Sequence, residues 1–143
     1  KPLGHSLNLE PILGQVLDLE YLGKNFISFK EWPSVLSTES FNLILRKEKR
    51  ILIGATLEQG FKASSSLRES MQSMNNNAPN WIKNASIKNK WTGIRAKPIG
   101  ESSPILKTLE PGLIVNTGHY RNGILLAPAC AEWVGSEITK SLI

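Results

Sequence analysis

The stretch whose side chains and spacing are best suited to chemistry is Asn116-Thr117-Gly118-His119-Tyr120-Arg121-Asn122-Gly123. It lies between a β-type run and the apolar-periodic segment that ends the chain, so it reads as strand, glycine loop and helix in succession. Gly118 and Gly123 let the backbone turn sharply and approach a ligand closely. The helix that follows points free N–H groups and the positive end of its dipole at whatever occupies the loop, which favours an anion or an electron-rich ring. Such a junction is also a common structural turn, and by itself the loop leaves both readings open. A second arginine stands at Arg95, where Trp91-Thr92-Gly93-Ile94-Arg95 runs out of an extended segment into a loop. Trp91 and Trp133 read most simply as core, and Cys130 as a buried small hydrophobe.

Positioning these groups requires a sheet. Pro11 to Gln15 leads into Val16-Leu17-Asp18-Leu19-Glu20, where apolar and acidic residues alternate, the pattern of a half-buried strand. Phe26 to Phe29 is expected to continue the sheet until Trp32-Pro33 interrupts it. Phe41 to Leu45 and Arg50 to Ala55 are two β-type runs joined by Arg46-Lys47-Glu48-Lys49, a hairpin with a charged tip. Ser64-Ser65-Ser66 offers N-caps for a helix with Leu67, Met71 and Met74 on one face, ending in Asn75-Asn76-Asn77 before Pro79. Ala85 to Arg95 reads as extended and Ala96 to Gly100 as a loop. Gly112 to Asn116 is a short strand. A last helix over residues 123–143 carries Leu126, Ala129, Trp133, Val134, Glu137 and Ile138 in register, with Pro128 near its first turn. The expected class is α+β: a mixed, largely antiparallel sheet with one central and one C-terminal helix.

Composition narrows the function classes. At 143 residues, 41% hydrophobic and 20% charged, the chain has the length and balance of a globular domain. No apolar run approaches a bilayer span, and Lys1 to His5 is not followed by the apolar stretch of a secretory signal. The single cysteine excludes an internal disulfide or a multi-cysteine metal centre, no metal is expected, and a cytoplasmic setting is the simplest expectation. Seventeen Lys and Arg against twelve Asp and Glu give a net charge of +5. These charges are scattered, with local groups at Arg46 to Arg50 and Lys83 to Lys90, and no aromatic stacking platform accompanies them. That argues for solvated surface charge over a nucleic-acid partner.

In order along the chain stand Pro11 to Gln15, Arg50 to Glu58 (with Gly54-Ala55-Thr56), Trp91 to Arg95, Pro104 to Leu106, and Gly118 to Pro128. This series resembles the flavin oxidoreductases of the D-amino-acid oxidase group, and within it the glycine oxidases of thiamine biosynthesis. The resemblance implies the substrate-binding domain of an FAD-dependent oxidase that moves hydride from the α-carbon of a small amino acid or amine to the flavin, giving an imine and hydrogen peroxide. It implies substrate contacts from Arg95, Arg121 and Asn42, and flavin contacts from Gly118, His119, Arg121, Asn122, Gly123 and Ile124. No side chain is required as a catalytic acid or base, and Arg50 and Glu58 are structural. On this reading residues 1–110 form a substrate-binding sheet domain, and residues 111–143 supply a strand, a flavin-contacting loop and a helix.

The same resemblance exposes departures. No Gly-x-Gly-x-x-Gly triplet is present, so the chain is expected to be part of a longer protein, inactive and unable to hold FAD tightly by itself. Its expected partner is the N-terminal FAD-binding domain of the same parent, with a second copy of the chain as another candidate to cover the last helix. Asn42 stands where the group often has tyrosine, Ile44-Leu45-Arg46 lacks a proline, and Lys107 replaces a common glycine. Glycine as substrate therefore does not follow. A flavin oxidase acting on a secondary amine or a modified tRNA base, and a noncatalytic binding module of the same fold, are the alternatives.

Overall fold

The computed structural model describes residues 4–22, 33–37, 41–47, 49–63 and 85–141. Its strands are β1 (Leu9–Glu20), β2 (Val35–Ser37), β3 (Asn42–Arg46), β4 (Arg50–Gly54), β5 (Glu58–Gln59), β6 (Ser86–Pro98), β7 (Ile105–Glu110) and β8 (Leu113–Thr117), followed by helix α1 (Gly123–Ser141). One sheet has the order β2-β3-β4-β1-β5, with β6 also paired to β1, and β7 and β8 form a second, two-stranded sheet. The pairings β1–β4, β2–β3, β3–β4 and β7–β8 are antiparallel, in keeping with an α+β class. The expected strand at Phe26 to Phe29, the central helix with Leu67, Met71 and Met74, and its end at Asn75 to Pro79 lie outside the described residues. The chain divides into two compact units, one of Lys1–Ile12 with Arg95–Ile143 and one of Leu13–Ile94.

In the second unit the charged hairpin forms as expected. Leu43, Ile53 and Leu17 make one cross-strand row, and Leu45, Ile51 and Leu19 make the next. Five of these six are fully buried, and Tyr21 and Phe41 complete the cluster. With side chains alternating between the faces of a strand, this register places every large apolar group of the two rows on one face. Full burial of each Leu or Ile contributes about 1.5–3 kcal/mol. The opposite face was expected to be solvated at Asp18, but Asp18 is buried. Its carboxylate takes two bonds from the Arg50 guanidinium, Nε at 2.9 Å and Nη2 closer still. The paired geometry offsets the cost of removing that charge from water.

A second polar knot joins β1 to the segment after β4. The Gln15 amide donates to Glu58 Oε1 at 2.7 Å, the Thr56 hydroxyl donates to the same oxygen at 2.7 Å, and the Gln15 N–H donates to Thr56 Oγ1 at 2.9 Å. Gln15 and Glu58 are buried, so these bonds keep their polar groups from going unpaired.

Three expectations in the first unit and in the strand leading into it are corrected. Ala96-Lys97-Pro98 is the end of β6 and not a loop. Proline is acceptable at that last position because the ladder resumes beyond it, where the Ile99 N–H donates to the Asn8 carbonyl at 2.9 Å. Pro128 lies beyond the first turn of α1. The carbonyl it leaves without a donor, that of Ile124, belongs to a residue 96% exposed, where water can serve. Trp91 is 43% exposed among the described residues and is not core. Cys130, by contrast, is buried, and Trp133 and Val134 are half-buried on the same side of the helix. Strand β7, which had no clear signal, pairs with β8 through a turn in which Pro111 precedes Gly112, whose φ is +81°.

Candidate functional site

Strand β8 delivers the chain to Gly118, and the local geometry there admits no side chain. Gly118 has φ of +67°, and an added Cβ would stand 2.8 Å from Pro98 Cγ, 3.3 Å from Ile105 Cγ1 and 3.4 Å from Leu9 Cδ2. Its backbone is thus packed on the end of β6, the start of β7 and the start of β1. The Ser103 hydroxyl fixes it further by donating to the Gly118 carbonyl at 2.6 Å.

From there the loop folds into a turn. The Asn122 N–H donates to the His119 carbonyl at 3.0 Å, with Tyr120 in the left-handed region at φ of +51°. The Asn122 carbonyl then accepts the Leu126 N–H at 2.9 Å, so Asn122 is the N-cap and α1 begins at Gly123. Gly123 is not demanded by space within the protein, because an added Cβ would meet only His119 Cβ at an ordinary 3.5 Å. The expectation that both glycines permit a sharp turn therefore holds for Gly118 alone.

Beside this loop lies an ion pair with no signal in the sequence, Lys97 with Glu10. The hydrogen bond to Glu10 and then its negative charge hold the Lys97 ammonium above its usual range, with a smaller contribution from Tyr120. Glu10 and Lys97 are 87 positions apart, which is why spacing could not find them. Ser103, Pro98 and Leu9, which floor the loop, were missed for the same reason.

Gly118, His119, Arg121, Asn122, Gly123 and Ile124 thus come together in one loop and helix start. Gly118 is buried, His119 and Gly123 are partly buried, and Arg121, Asn122 and Ile124 are exposed. Arg95 belongs to the same compact unit and is half-buried on β6. Asn42 belongs to the other unit, at the start of β3, half-buried and in register with Ser37 and Gly54. The first-turn N–H groups of Gly123, Ile124 and Leu125 have no acceptor within the helix, and the side chains of Ile124 and Leu125 are 96% and 79% exposed. Arg121 adds a formal positive charge at the same end. Chemically this is a donor-rich, electropositive edge on a rigid floor, suited to an electron-rich ring carrying carbonyl oxygens.

Residues 1–136 match the family of FAD dependent oxidoreductases. The glycine oxidase of Pseudomonas putida is 30% identical over 138 residues, covering 92% of this chain and 36% of that protein. The bifunctional protein ThiO/ThiG of a Nostoc species is 35% identical over 112 residues, 74% of this chain and 17% of that one. Among solved structures, glycine oxidase from Geobacillus kaustophilus superposes with a TM-score of 0.73 at 26% identity, over 96% of this chain and 37% of that chain. The chain spans about a third of the length of the glycine oxidases it matches.

Proposed function

The chain belongs to the family of FAD dependent oxidoreductases, and from that premise we propose that it forms the substrate-side and flavin-contacting portion of an amino-acid or amine oxidase. The observation that carries this reading is the Gly118 loop: a side-chain-free backbone packed on three strands, opening directly into the N-terminus of α1. The donor set suits the pyrimidine side of a flavin ring, because the first-turn N–H groups of Gly123, Ile124 and Leu125 and the Arg121 charge would hold its oxygen-rich edge. When bound, FAD supplies the acceptor for hydride and the means by which oxygen is reduced to hydrogen peroxide.

The chain's own residues orient and stabilise. Arg95 holds the substrate carboxylate with its planar fork, which fixes the α-carbon in one position. Arg121 adds a polar contact to the substrate. The helix N-terminus and Arg121 favour negative charge that develops at the loop during reaction, at no cost in reorganisation because Ser103 and the Asn122 cap already hold the loop. No general base is needed when the substrate amine is neutral, and His119 serves as part of the loop. Residues 1–110 carry the substrate side and residues 111–143 the flavin contacts, with the dinucleotide-binding part supplied elsewhere in the parent protein.

The test is the parent protein with and without Arg95→Ala, assayed for bound yellow chromophore and for peroxide with glycine, sarcosine and D-amino acids. A charge-assisted bidentate contact contributes about 1.5–3 kcal/mol, so KM for carboxylate substrates should rise about ten- to a hundredfold while flavin content is unchanged. A colourless parent protein overturns the flavin reading. Equal loss of flavin and turnover overturns the role of Arg95.

A further inference from the structure

The charged hairpin tip of the second unit is not used by the proposed oxidase chemistry. Asp18, Ile44, Leu45, Arg46, Lys47 and Arg50 line a cavity there of about 680 Å³. That volume is in the range of small-molecule sites and far exceeds a single water cluster. We propose that this cavity binds a phosphate-bearing small molecule.

The argument begins from register. Arg46 stands directly opposite Arg50 across the β3–β4 ladder. Like charges in that position repel, so a sheet does not place them there for stability. The segment Arg46-Lys47-Glu48-Lys49-Arg50 carries four cations and one carboxylate. Asp18 engages Arg50 through both of its oxygens and is itself buried. Glu20, which faces Arg50 across β1–β4, is engaged by Lys88 at 2.6 Å. Among the described residues the carboxylates Asp18 and Glu20 thus already have partners, while Arg46 and Lys47 are exposed at the cavity.

Arg50 gains from the arrangement. Held by Asp18, its guanidinium is pre-oriented, so less freedom is lost when it meets a second anion. Arg46 and Lys47 supply the additional charge, and phosphate oxygens match the fork of arginine. Ile44, exposed beside Arg46, gives the cavity an apolar wall, which a bare inorganic ion would not use but a phosphorylated organic molecule would. An anion at this position would also relieve the repulsion between Arg46 and Arg50.

Calorimetric titration of the full chain with pyrophosphate and, separately, with AMP at constant ionic strength tests the proposal. Saturable binding of either probe is expected, weakened about tenfold or more by Arg46→Glu and by Lys47→Ala, and unchanged by Lys140→Ala on α1. Tighter binding of AMP would mean that the apolar wall takes part, and equal or tighter binding of pyrophosphate that phosphate alone is read. No saturable heat with either probe would overturn the proposal. So would binding that survives in Lys47→Ala and Arg46→Glu, both at exposed positions, when their melting curves match the parent chain.

Discussion

Replacing Gly118 with alanine should test whether the candidate flavin loop is held by packing or merely passes through it. Two costs add. A residue with a Cβ pays about 1–2 kcal/mol to adopt the left-handed conformation that φ of +67° requires. The new methyl group would lie 2.8 Å from Pro98 Cγ and 3.3 Å from Ile105 Cγ1. Neither neighbour can yield easily: the proline ring is rigid and buried at the end of β6, and Ile105 is 1% exposed. Overpacking of this kind costs about 1–3 kcal/mol. The sum, about 2–5 kcal/mol, is a large share of the 5–15 kcal/mol that separates typical folded and unfolded states. Gly112→Ala provides the control, since φ there is +81° but nothing lies within 4 Å of the added carbon. Urea unfolding of both variants, followed by circular dichroism, gives the difference between them, which isolates the packing contribution. Equal midpoints for Gly118→Ala and Gly112→Ala would refute the idea that the three strands clamp this loop.

Other perturbations reach different parts of the structure. Asp18→Ala removes the partner of a partly buried guanidinium and should cost about 2–4 kcal/mol in urea unfolding, somewhat less than a fully buried pair because Arg50 retains 33% of its side-chain exposure. Asp18→Ala combined with Arg50→Met should be more stable than Asp18→Ala alone, and a further loss in the double variant would contradict the pairing argument. The hydrogen bond from Lys140, then that from Thr108, holds the Glu137 carboxyl below its ordinary 4.5. A depressed carboxylate stabilises the fold above its unfolded pKa, and that stabilisation fades as pH falls through the lower folded value. Melting temperatures of the chain and of Glu137→Gln should therefore differ at neutral pH and converge on acidification below about 4.5, and a constant gap would count against the Lys140–Glu137–Thr108 link.

The elements legible in the sequence are those whose signal is local. The hairpin of β3 and β4 shows itself in two apolar runs flanking a charged turn, and α1 in a periodic segment that follows a glycine loop. Strand β7 fails that test because its alternation is broken by an irregularity between Thr108 and Glu110, so Leu106 and Leu109 fall out of phase. The end of β6 was obscured by Pro98 and Gly100, whose turn preference is real but applies one or two residues later than composition suggests. Trp91 misled because a large aromatic residue is usually enclosed, and the extended run around it is exposed on both faces among the described residues.

The same distinction explains why the motifs could be recognised before their roles could be assigned. Pro11 to Gln15 and Arg50 to Glu58 are far apart in sequence, yet the structure joins them through Gln15, Thr56 and Glu58, while Asp18 further along β1 holds Arg50. Both motifs are therefore parts of one scaffold, and their polar residues satisfy one another. Gly118 to Gly123 is of another kind. Within the protein its floor is crowded, but its outer side holds N–H groups and an arginine without acceptors in the helix, on a loop already fixed by Ser103 and Asn122. A scaffold motif closes its own hydrogen bonds, whereas a ligand-facing motif leaves donors open on a rigid support. By that criterion the Gly118 loop is a part of the described chain built to meet something outside it, which is why the flavin contacts are proposed there and not at the buried Gln15–Glu58 pair.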